Sequence, residues 1–581
     1  MACDEKIKVE SLPEKETWDL FKKTLGHGLA LSPDIEKVAL SIAKRCAGLP
    51  LGIITMAGSM RGVNDIHEWR NVLEELENPT TEQRDMQDEV FPILKLSYDR
   101  LKDAKLRHCF LYCALYPEDE IIERHDLITF FIVEGIIDRT KSMQAKVDMG
   151  HTLLNKLENA CLLESCGGFA VERRVKMHDL TREMALEITK VSPRFMVKSG
   201  WQCSENLDEE EWMEDLEKVS LLYRKIKIPE GMSPRCPKLS TLLCSSADFL
   251  MEILHSFFVH MRALRVLDLS STGGIKELPN SISNLENLTA LFLKNCVDLE
   301  YAPPLGNLRA LQVLDLSETR IEEVPQGMEM LVNLNCLYMR PMDKNVVLPT
   351  GILPRLSCLQ VLRLGVDIEV RREEVEELKL LEDLSCQYEV CNFKQFVQSQ
   401  CFKQLSRCDI VTLDDDGYVS EDGYVSDEGL GCYLSIKEDK RVRIENFSVM
   451  GEEGEVDRAL LPHDIQYLEL SKCHDVHILC NGSLLFKDLK KCEIFLCDEI
   501  EYIVWLFSSN EIEVEEDSGE KSPCAPLHSL EILKLKWLPN LSALIKWGRQ
   551  GGERVMAPLP AGTFFNLKDL PEFILLLYSG K

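Results

Sequence analysis

The chain has 581 residues, of which 45% are hydrophobic, and its formal net charge is −30. A chain of this length exceeds what one hydrophobic core supports, so the length predicts several domains. The acids are concentrated in three segments, 205–217, 414–428 and 511–520, which contain no basic residue. We interpret these segments as solvated linkers and loops, and charge of this sign argues against nucleic acid as the main ligand.

The cellular compartment is indicated by cysteine usage and by the character of the two ends. The opening MACDEKIKVE is polar from its fourth residue, unlike a secretory signal peptide. The apolar run FILLLY at 573–578 is too short to span a bilayer. With 22 cysteines and no secretory signal, the sequence predicts reduced thiols in a cytoplasmic protein.

The first part of the chain predicts a small helical domain. Ser11 has the spacing of a capping box with the glutamate three residues later. A second helix takes Ser32 as its N-cap and ends at Gly48, a C-cap glycine. The sequence Leu-Pro-Leu then leads directly into another apolar helix near Pro50.

Helices followed by a β-hairpin characterise the next part of the chain. The segments VFPILKLSYDRL, AKLRHCFLYCAL and RHDLITFFIVEGII read as helices, and Gly167-Gly168 is a hairpin turn signal. Met177, Leu180 and Met184 are then spaced 3 and 4 apart, as on one face of an amphipathic helix. This order predicts a winged-helix domain, but RHDLITFFIVEGIID is too apolar and acidic to read DNA.

The motif LxxLxL, or a close apolar variant, recurs through the second half of the chain. It starts at Leu216, Leu239, Leu264, Leu288, Leu311, Leu334 and Leu359, in steps of 23 to 25 residues, and weaker copies start at Leu381, Leu405, Ile465, Leu489 and Leu530. That period is typical of leucine-rich repeats, which bury their leucines against neighbouring repeats. The predicted fold class is therefore multidomain α plus α/β, with helical and winged-helix domains followed by a solenoid built on a curved parallel sheet.

Two cysteine-containing features of the solenoid are explained by the repeat fold, without a metal or a catalytic role. Cys296 and Cys473 fall at the Asn/Cys position that closes the turn after each strand. The stretch CHDVHILC offers two cysteines and two histidines, but they share one short strand and turn, so we predict no metal site.

The acidic, glycine-rich stretch LDDDGYVSEDGYVSDEGL is predicted to be a loop inserted between repeats.

Four elements in this order carry a resemblance. CAGLPLGI, then LKLSYDRLKDAKLRHCFLYCALYPED, then VKMHDLTREMAL, then leucine-rich repeats resemble plant intracellular immune receptors of the coiled-coil, nucleotide-binding, leucine-rich-repeat class. Each motif alone is weak, whereas their order and spacing together are specific. The resemblance covers essentially the whole chain.

The resemblance implies a nucleotide switch. In that family ADP or ATP lies between a phosphate-loop domain, the small helical domain and the winged helix. Carried onto this sequence, Pro50 contacts the adenine, His178 contacts the β-phosphate of ADP, and Asp179 holds the winged helix in the closed state. An imidazole is able to donate a hydrogen bond to a phosphate oxygen. The alternative is that Asp179 only caps the helix and His178 faces solvent.

The phosphate-binding part of that switch is missing from the sequence. No G-x-x-x-x-G-K-[ST] motif occurs, and the only Gly-Lys pair is Gly580-Lys581. We therefore expect ADP or ATP binding to be weak or absent in this chain. We also expect the chain to be a receptor truncated at its N-terminus and incomplete at its C-terminal repeats.

These observations give a predicted domain order and function. The order is a remnant of the nucleotide-binding domain at 1–10, the small helical domain at 11–84, the winged helix at 85–190, an acidic linker at 191–215, repeats at 216–410, an acidic insertion at 411–440 and further repeats at 441–581. The predicted protein is not an enzyme but the sensor and regulatory part of a defence receptor, which recognises a pathogen effector or an effector-modified host protein. The alternative is a leucine-rich-repeat adaptor without nucleotide switching, such as the substrate arm of a ubiquitin ligase.

The residue between the last two leucines of each repeat is predicted to face a partner. Strand side chains alternate between faces, so this residue points away from the leucine core. Five successive repeats place Asp268, Phe292, Asp315, Tyr338 and Arg363 in one row. Aromatic residues and arginine dominate binding hot spots, so we predict an exposed partner-binding row on the concave face.

Overall fold

A computed structural model describes most of the chain. The described residues are 10–26, 31–78, 90–137, 142–166, 174–198, 205–223, 225–249, 253, 255–340, 342, 346–365, 368, 370–413, 440–445, 464–473, 476–481, 486, 488–507, 527 and 529–548. They fall into two compact units. The first contains the described residues up to 275 together with 287–291, and the second contains residues 276–286 and those from 292 onward.

The first unit begins with helices. They are α1 (Glu14–Leu25), α2 (Pro33–Arg45), α3 (Pro50–Ser59), α4 (Ile66–Glu77), α5 (Phe91–Asp99), α6 (Ala104–Cys113), α7 (Arg124–Val133), α8 (Met143–Asn159) and α9 (Asp179–Ile188). The predicted N-cap of α2 is confirmed, because the Ser32 hydroxyl accepts a hydrogen bond from the Ile35 N–H at 3.3 Å. The capping box predicted at Ser11 is wrong: α1 begins after Pro13, whose side chain has no oxygen to offer.

A small hydrophobic core joins the first four helices to α5. It contains Phe21 and Trp69, both fully buried, with their ring centroids 6.5 Å apart. The helical faces that supply this core are those with apolar residues three and four apart, as in Ile35, Ala39 and Ile42 of α2. This packing places the N-terminus of α3, and with it the Leu-Pro-Leu turn, on a rigid base.

The winged-helix domain is present as predicted. Strands β1 (Ile122–Glu123), β2 (Glu164–Cys166) and β3 (Arg174–Lys176) form an antiparallel sheet in the order β1-β3-β2. The glycine pair predicted to form the hairpin turn lies outside the described residues. Helix α9 follows directly and packs on α5 and α6.

Parallel strands of the repeats begin earlier than the sequence predicts. The first unit contains β4 (Arg194–Val197), β5 (Glu205–Asn206), β6 (Leu216–Ser220), β7 (Lys225–Lys227), β8 (Thr241–Leu243), β9 (Asp248–Phe249) and β10 (Val266–Asp268), and β11 spans Ala290–Phe292. The order β4-β6-β8-β10 makes one parallel sheet. The segment predicted as the linker 191–215 therefore contributes strand β4, because Phe195 and Met196 pair with Lys218 and Val219 in the first repeat.

The second unit is a leucine-rich-repeat solenoid, as predicted. Its strands are β12 (Val313–Asp315), β13 (Cys336–Met339), β14 (Val361–Leu364), β15 (Asp383–Glu389), β16 (Arg407–Leu413), β17 (Lys440–Glu445), β18 (Tyr467–Ser471), β19 (Ile478–Asn481), β20 (Lys491–Phe495), β21 (Tyr502–Phe507), β22 (Ile532–Lys536) and β23 (Ala543–Gly548). Short helices α10 (Arg372–Glu376), α11 (Val390–Val397) and α12 (Gln400–Gln404) connect some of them. The strands from β12 to β18, with β20 and β22, pair in parallel.

The repeat leucines form the core that the motif predicts. Leu311, Leu314, Leu334 and Leu337 have no exposed surface. Cys473 is buried, and its Sγ donates to the Ile444 carbonyl at 3.3 Å, as expected of the position that closes the turn. Within the described part of the chain, no helix is both long and apolar enough to cross a membrane.

Candidate functional site

The Gly-Leu-Pro-Leu turn is fixed by its contact with the start of the chain. Gly48 has a φ of +71°, and a Cβ built on it would lie 2.4 Å from the Leu12 carbonyl oxygen. The Leu12 N–H donates to the Gly48 carbonyl at 2.9 Å. Only glycine fits this left-handed position and close approach. The turn therefore holds Pro50 at a defined, exposed place as the first residue of α3.

His178 caps helix α9. Its Nδ1 accepts a hydrogen bond from the Leu180 N–H at 3.2 Å. A neutral imidazole that accepts at Nδ1 carries its proton on Nε2, so the ring keeps one N–H donor. His178 is half-buried, whereas Asp179 is exposed at the first position of the helix. The cap that one interpretation assigned to Asp179 is thus supplied by His178.

Pro50 and His178 both lie at the N-terminus of a helix. Pro50 begins α3 and His178 caps α9, and both of these helices pack on α5. Each residue is therefore attached to a helix N-terminus, where backbone N–H groups favour negative charge. Their roles in nucleotide binding stay predictions.

A short segment after α6 links α9 to the repeats within the first unit. The Arg182 Nε of α9 donates to the Tyr116 carbonyl at 2.6 Å. On the other side of the segment, the Ser220 hydroxyl of β6 donates to the Leu115 carbonyl at 2.6 Å. The Tyr223 hydroxyl is 3.0 Å from the Glu120 carboxylate. Residues 115–120 thus contact both helix α9, which His178 caps, and the first repeats.

A second contact joins the end of α7 to the same repeats. The Lys218 Nζ of β6 is 2.7 Å from the Glu134 carboxylate, and the Thr241 hydroxyl also bonds to that carboxylate. The side chains of Lys218 and Glu134 are 16% and 8% exposed. The Lys218 ammonium lies 5.2 Å from the Tyr112 ring centre. This is an ion pair largely removed from water, and the threonine hydroxyl and the tyrosine ring give it further partners.

Backbone groups extend the contact at the end of α7. The Val133 carbonyl accepts from the Thr289 hydroxyl at 2.9 Å and from Arg265 at 3.3 Å. Nine of the ten residues of α7 are buried. A helix covered in this way has no free face for a DNA groove. The sequence contained no signal for this contact beyond the unusually apolar composition of α7.

The partner-binding row is not exposed, so that expectation is wrong. Asp268, Phe292, Asp315, Tyr338 and Arg363 are 6%, 0%, 2%, 5% and 7% exposed. In the first unit Asp268 lies near helix α6: burial raises the pKa of Tyr112, and the Asp268 carboxylate is among the neighbouring charges that raise that pKa further. Whether these residues contact a partner stays a prediction, but they do not offer a free surface for one.

In the second unit, neighbouring strands cover each other's side chains. The Arg363 guanidinium lies 5.8 Å from the Tyr338 ring centre and 2.8 Å from the Asp383 carboxylate. Arg407 reaches the same carboxylate at 3.0 Å. Burial alone would raise the pKa of Asp383, but the two arginines hold that pKa below its usual range. Tyr338 and Arg363 of the row thus belong to an internal charge ladder, which also contains Asp383 and Arg407.

Asp315 carries a pKa prediction. Its carboxylate accepts the Ser317 N–H at 2.8 Å, but burial raises the pKa of Asp315 to about 6. A carboxyl whose folded pKa exceeds its unfolded value reduces stability fully above the folded pKa. The penalty shrinks as the pH falls below 6 and is gone only below the unfolded pKa of 3.8. Asp315→Asn is expected to stabilise the chain at pH 7.5 by on the order of 2 kcal/mol and by about half as much at pH 5.

Thermal unfolding of both proteins at pH 7.5 and pH 5 measures this effect. Asp488→Asn, at an exposed position of the second unit, is the matched control and should change neither melting temperature. Equal melting temperatures for wild type and Asp315→Asn at pH 7.5 would contradict the penalty.

Two sequence features lie wholly or partly outside the described residues. Nearly all of the acidic insertion predicted at 411–440 is outside, since the described part stops at 413 and resumes at 440. His474 of the CHDVHILC stretch is outside as well. Among the residues that are described, no three His, Cys, Asp or Glu side chains come close enough to hold a metal ion.

Two family models match this chain. The model described as the disease resistance protein winged helix domain matches residues 115–185, and the model described as a leucine-rich repeat region matches residues 300–440. The first covers the segment 115–120, helix α7, the β-hairpin and most of α9. The second covers the strands from β12 to the start of β17, and these include the strands of the internal charge ladder.

Relatives from Arabidopsis thaliana match over most of the chain. Disease resistance protein RPS5 is 28% identical over 553 residues, which are 94% of this chain and 58% of that protein. Disease resistance protein RFL1 is 34% identical over 369 residues, 63% of this chain and 41% of that protein. The chain thus spans about half the length of these relatives.

Solved structures resemble the repeats more distantly. A leucine-rich-repeat protein of Leptospira interrogans matches with a TM-score of 0.37 and 16% identity, over 62% of this chain and 93% of that one. An internalin of Listeria monocytogenes matches with a TM-score of 0.36 and 15% identity, over 64% and 89%. Scores of this size carry no functional argument.

Proposed function

This chain belongs to the plant disease resistance proteins with a winged helix and leucine-rich repeats, and we propose that it forms the sensor and regulatory part of an intracellular receptor. In this proposal the repeats recognise a pathogen effector or an effector-modified host protein. The same repeats hold the winged helix in one position until that partner binds. The observation that carries the proposal is the contact of residues 115–120 and Glu134 with the first repeats.

The contact is suited to regulation because it connects two functional elements. Arg182 extends from the helix that His178 caps, and it bonds to Tyr116 in the segment that Ser220 and Tyr223 hold. A partner that displaces the first repeats would remove the bonds to residues 115–120. That change would reach α9 through Arg182, since the same segment contacts both. In this proposal the first repeats and helix α9 are coupled through residues 115–120.

The test of this coupling is hydrogen exchange across the contact. Replacing Lys218 by Met removes the partner of a buried carboxylate, so residues 115–120 should exchange faster, and so should the start of α9. If the repeats act only as an adaptor without a switch, exchange at α9 should stay unchanged when the contact is weakened.

The residues on the chain fit part of an adenine nucleotide site. The exposed Pro50 ring offers an apolar surface for a base, and the Nε2–H of His178 offers one donor to a phosphate oxygen. A bound ADP or ATP would supply the phosphate charge that such a donor recognises. The exposed Asp179 carboxylate beside His178 opposes that charge at the same helix end.

We therefore expect the chain alone to bind ADP weakly. Most phosphate affinity in such sites comes from glycine-rich loop amides, a lysine and magnesium, and the sequence contains no such motif. Titration calorimetry of the purified chain with ADP should show no tight site. A sub-micromolar dissociation constant, abolished by His178→Ala, would contradict this expectation.

A further inference from the structure

In the late repeats, the face of the parallel sheet that points away from the leucine core is basic, although the chain as a whole is strongly acidic. In β16, β17, β18, β20 and β22 the buried side chains, such as Val442, Leu468 and Ile494, point to the core. The side chains that alternate with them face away from it. The described charged ones are Arg407, Arg441, Arg443, Lys491, Lys534 and Lys536 against Asp409, Glu469 and Glu493. Among these described side chains the cations outnumber the carboxylates.

This excess is held in a fixed arrangement around one tyrosine. Tyr467 lies between two cations, with the Arg441 guanidinium 5.3 Å and the Lys491 ammonium 4.4 Å from its ring centre. Its hydroxyl is 2.9 Å from the Glu469 carboxylate and 2.8 Å from that of Glu493. The cations are thus positioned before any ligand arrives, which lowers the entropic cost of binding. We call Arg441, Arg443, Tyr467, Lys491, Lys534 and Lys536 the basic strip.

The carboxylates of the face neutralise only part of the strip. Arg443 is paired with Asp409 at 2.9 Å, and Lys491 and Lys534 share Glu493 at 3.0 and 2.7 Å. Arg441 and Lys536 have ring contacts instead, to Tyr467 and Phe495. Among the described residues, no carboxylate lies within ion-pair distance of these two. They are the positions at which an external anion gains most.

We propose that the basic strip binds an acidic peptide segment of a protein partner. This proposal rests on the sensor function above and names the chemistry of what the repeats recognise. The strip crosses four adjacent strands, β17, β18, β20 and β22, or roughly 14 Å at the usual strand spacing. An extended peptide of about five residues covers that distance. Aspartate and glutamate side chains at alternate positions would then meet the cations.

A peptide suits the strip better than a nucleic acid does. The field of a charged patch is screened within about 8 Å at physiological salt, so a short acidic segment feels mainly the local positive charge. A long polyanion also approaches the rest of a chain whose net charge is −30, and it is repelled there.

The experiment measures binding of a defined probe to the full chain. The probe is a fluorescein-labelled octapeptide of alternating Asp and Glu, and fluorescence anisotropy is recorded at low salt and again at physiological salt. The control probe replaces every Asp by Asn and every Glu by Gln. We expect the acidic probe to bind, more weakly at the higher salt, and the amide probe not to bind.

Two variants locate the binding. The double variant Arg441→Gln, Lys536→Gln should weaken binding by about tenfold, because each exposed charge contact contributes up to about fivefold. Lys403→Gln removes an exposed lysine of α12, outside the basic strip, and should leave the affinity unchanged. Circular dichroism and melting curves confirm that each variant is folded.

Several results would overturn the proposal. They are an unchanged affinity in the double variant, equal binding of the amide probe, and tighter binding of a single-stranded oligonucleotide of equal charge. Deletion of 414–428 that raises the probe affinity by about tenfold or more would assign the strip to the chain's own acidic segment instead. None of these outcomes affects hydrogen exchange at residues 115–120, so failure of the basic strip and failure of the proposed regulation are distinguishable.

Discussion

Replacing Phe292 by alanine is expected to lower the free energy of unfolding by about 3–5 kcal/mol. The ring is 0% exposed, so its removal takes apolar surface out of a packed environment and leaves a cavity. The sequence predicted the opposite, an exposed partner-binding side chain. Urea unfolding monitored by circular dichroism measures the difference directly.

Tyr301→Ala is the matched control for this prediction. Tyr301 is an aromatic residue of the same unit and is 48% exposed, so its loss should cost no more than about 1 kcal/mol. If Phe292→Ala is as stable as Tyr301→Ala, the ring is not part of the packed interior. Phe292→Leu retains most of the volume, and it is the variant to use when partner binding is measured without loss of the fold.

The burial of Phe292, which the sequence predicted to be exposed, shows what a repeat motif determines and what it does not. The motif LxxLxL fixes which side chains enter the leucine core, because strand side chains alternate and each repeat copies the last. The structure confirms this for Leu311 and Leu314. The motif does not say what lies against the other face. Asp315 and Tyr338 point away from the leucines and are buried all the same.

Helix caps could be predicted from the sequence where the capping residue and the N–H group that it bonds are close along the chain. Ser32 caps α2 because its hydroxyl reaches an N–H three residues later. The C-cap predicted at Gly48 is wrong, because α2 ends at Arg45 and Cys46 is its C-cap; Gly48 instead occupies the left-handed turn against Leu12. The cap of α9 was harder to predict, since an aspartate and a histidine stood side by side. The aspartate is the commoner cap, but the register of the helix places His178 at that position.

Contacts between distant segments were not predictable from one sequence. Glu134 and Lys218 are 84 residues apart, and neither belongs to a motif. Strand β4 was not predictable either, because its segment reads as part of an acidic linker. The strand with which it pairs, β6, lies in the first repeat. The contact that carries the proposed regulation therefore became visible only with the fold.

Lys218→Met is expected to destabilise the first unit by about 3–5 kcal/mol, because it leaves the Glu134 carboxylate without its cation. That carboxylate is 8% exposed, so water cannot replace the lysine. Residues 115–120 should lose protection in hydrogen exchange, since the end of α7 and this segment contact the same strand. Mass spectrometry of the exchanged peptides reports both this segment and α9.

A double variant separates the ion pair from the packing around it. Lys218→Met combined with Glu134→Gln removes both charges, while the amide oxygen that replaces the Glu134 carboxylate still accepts from the Thr241 hydroxyl, so much of the lost stability should return. Lys238→Met, at an exposed position of the same unit, should behave as wild type. If the single variant keeps wild-type protection at residues 115–120, the pair does not hold the winged helix on the repeats. If protection falls there but not at α9, the pair holds the contact while Arg182 does not transmit its loss, and the regulatory part of the proposal fails.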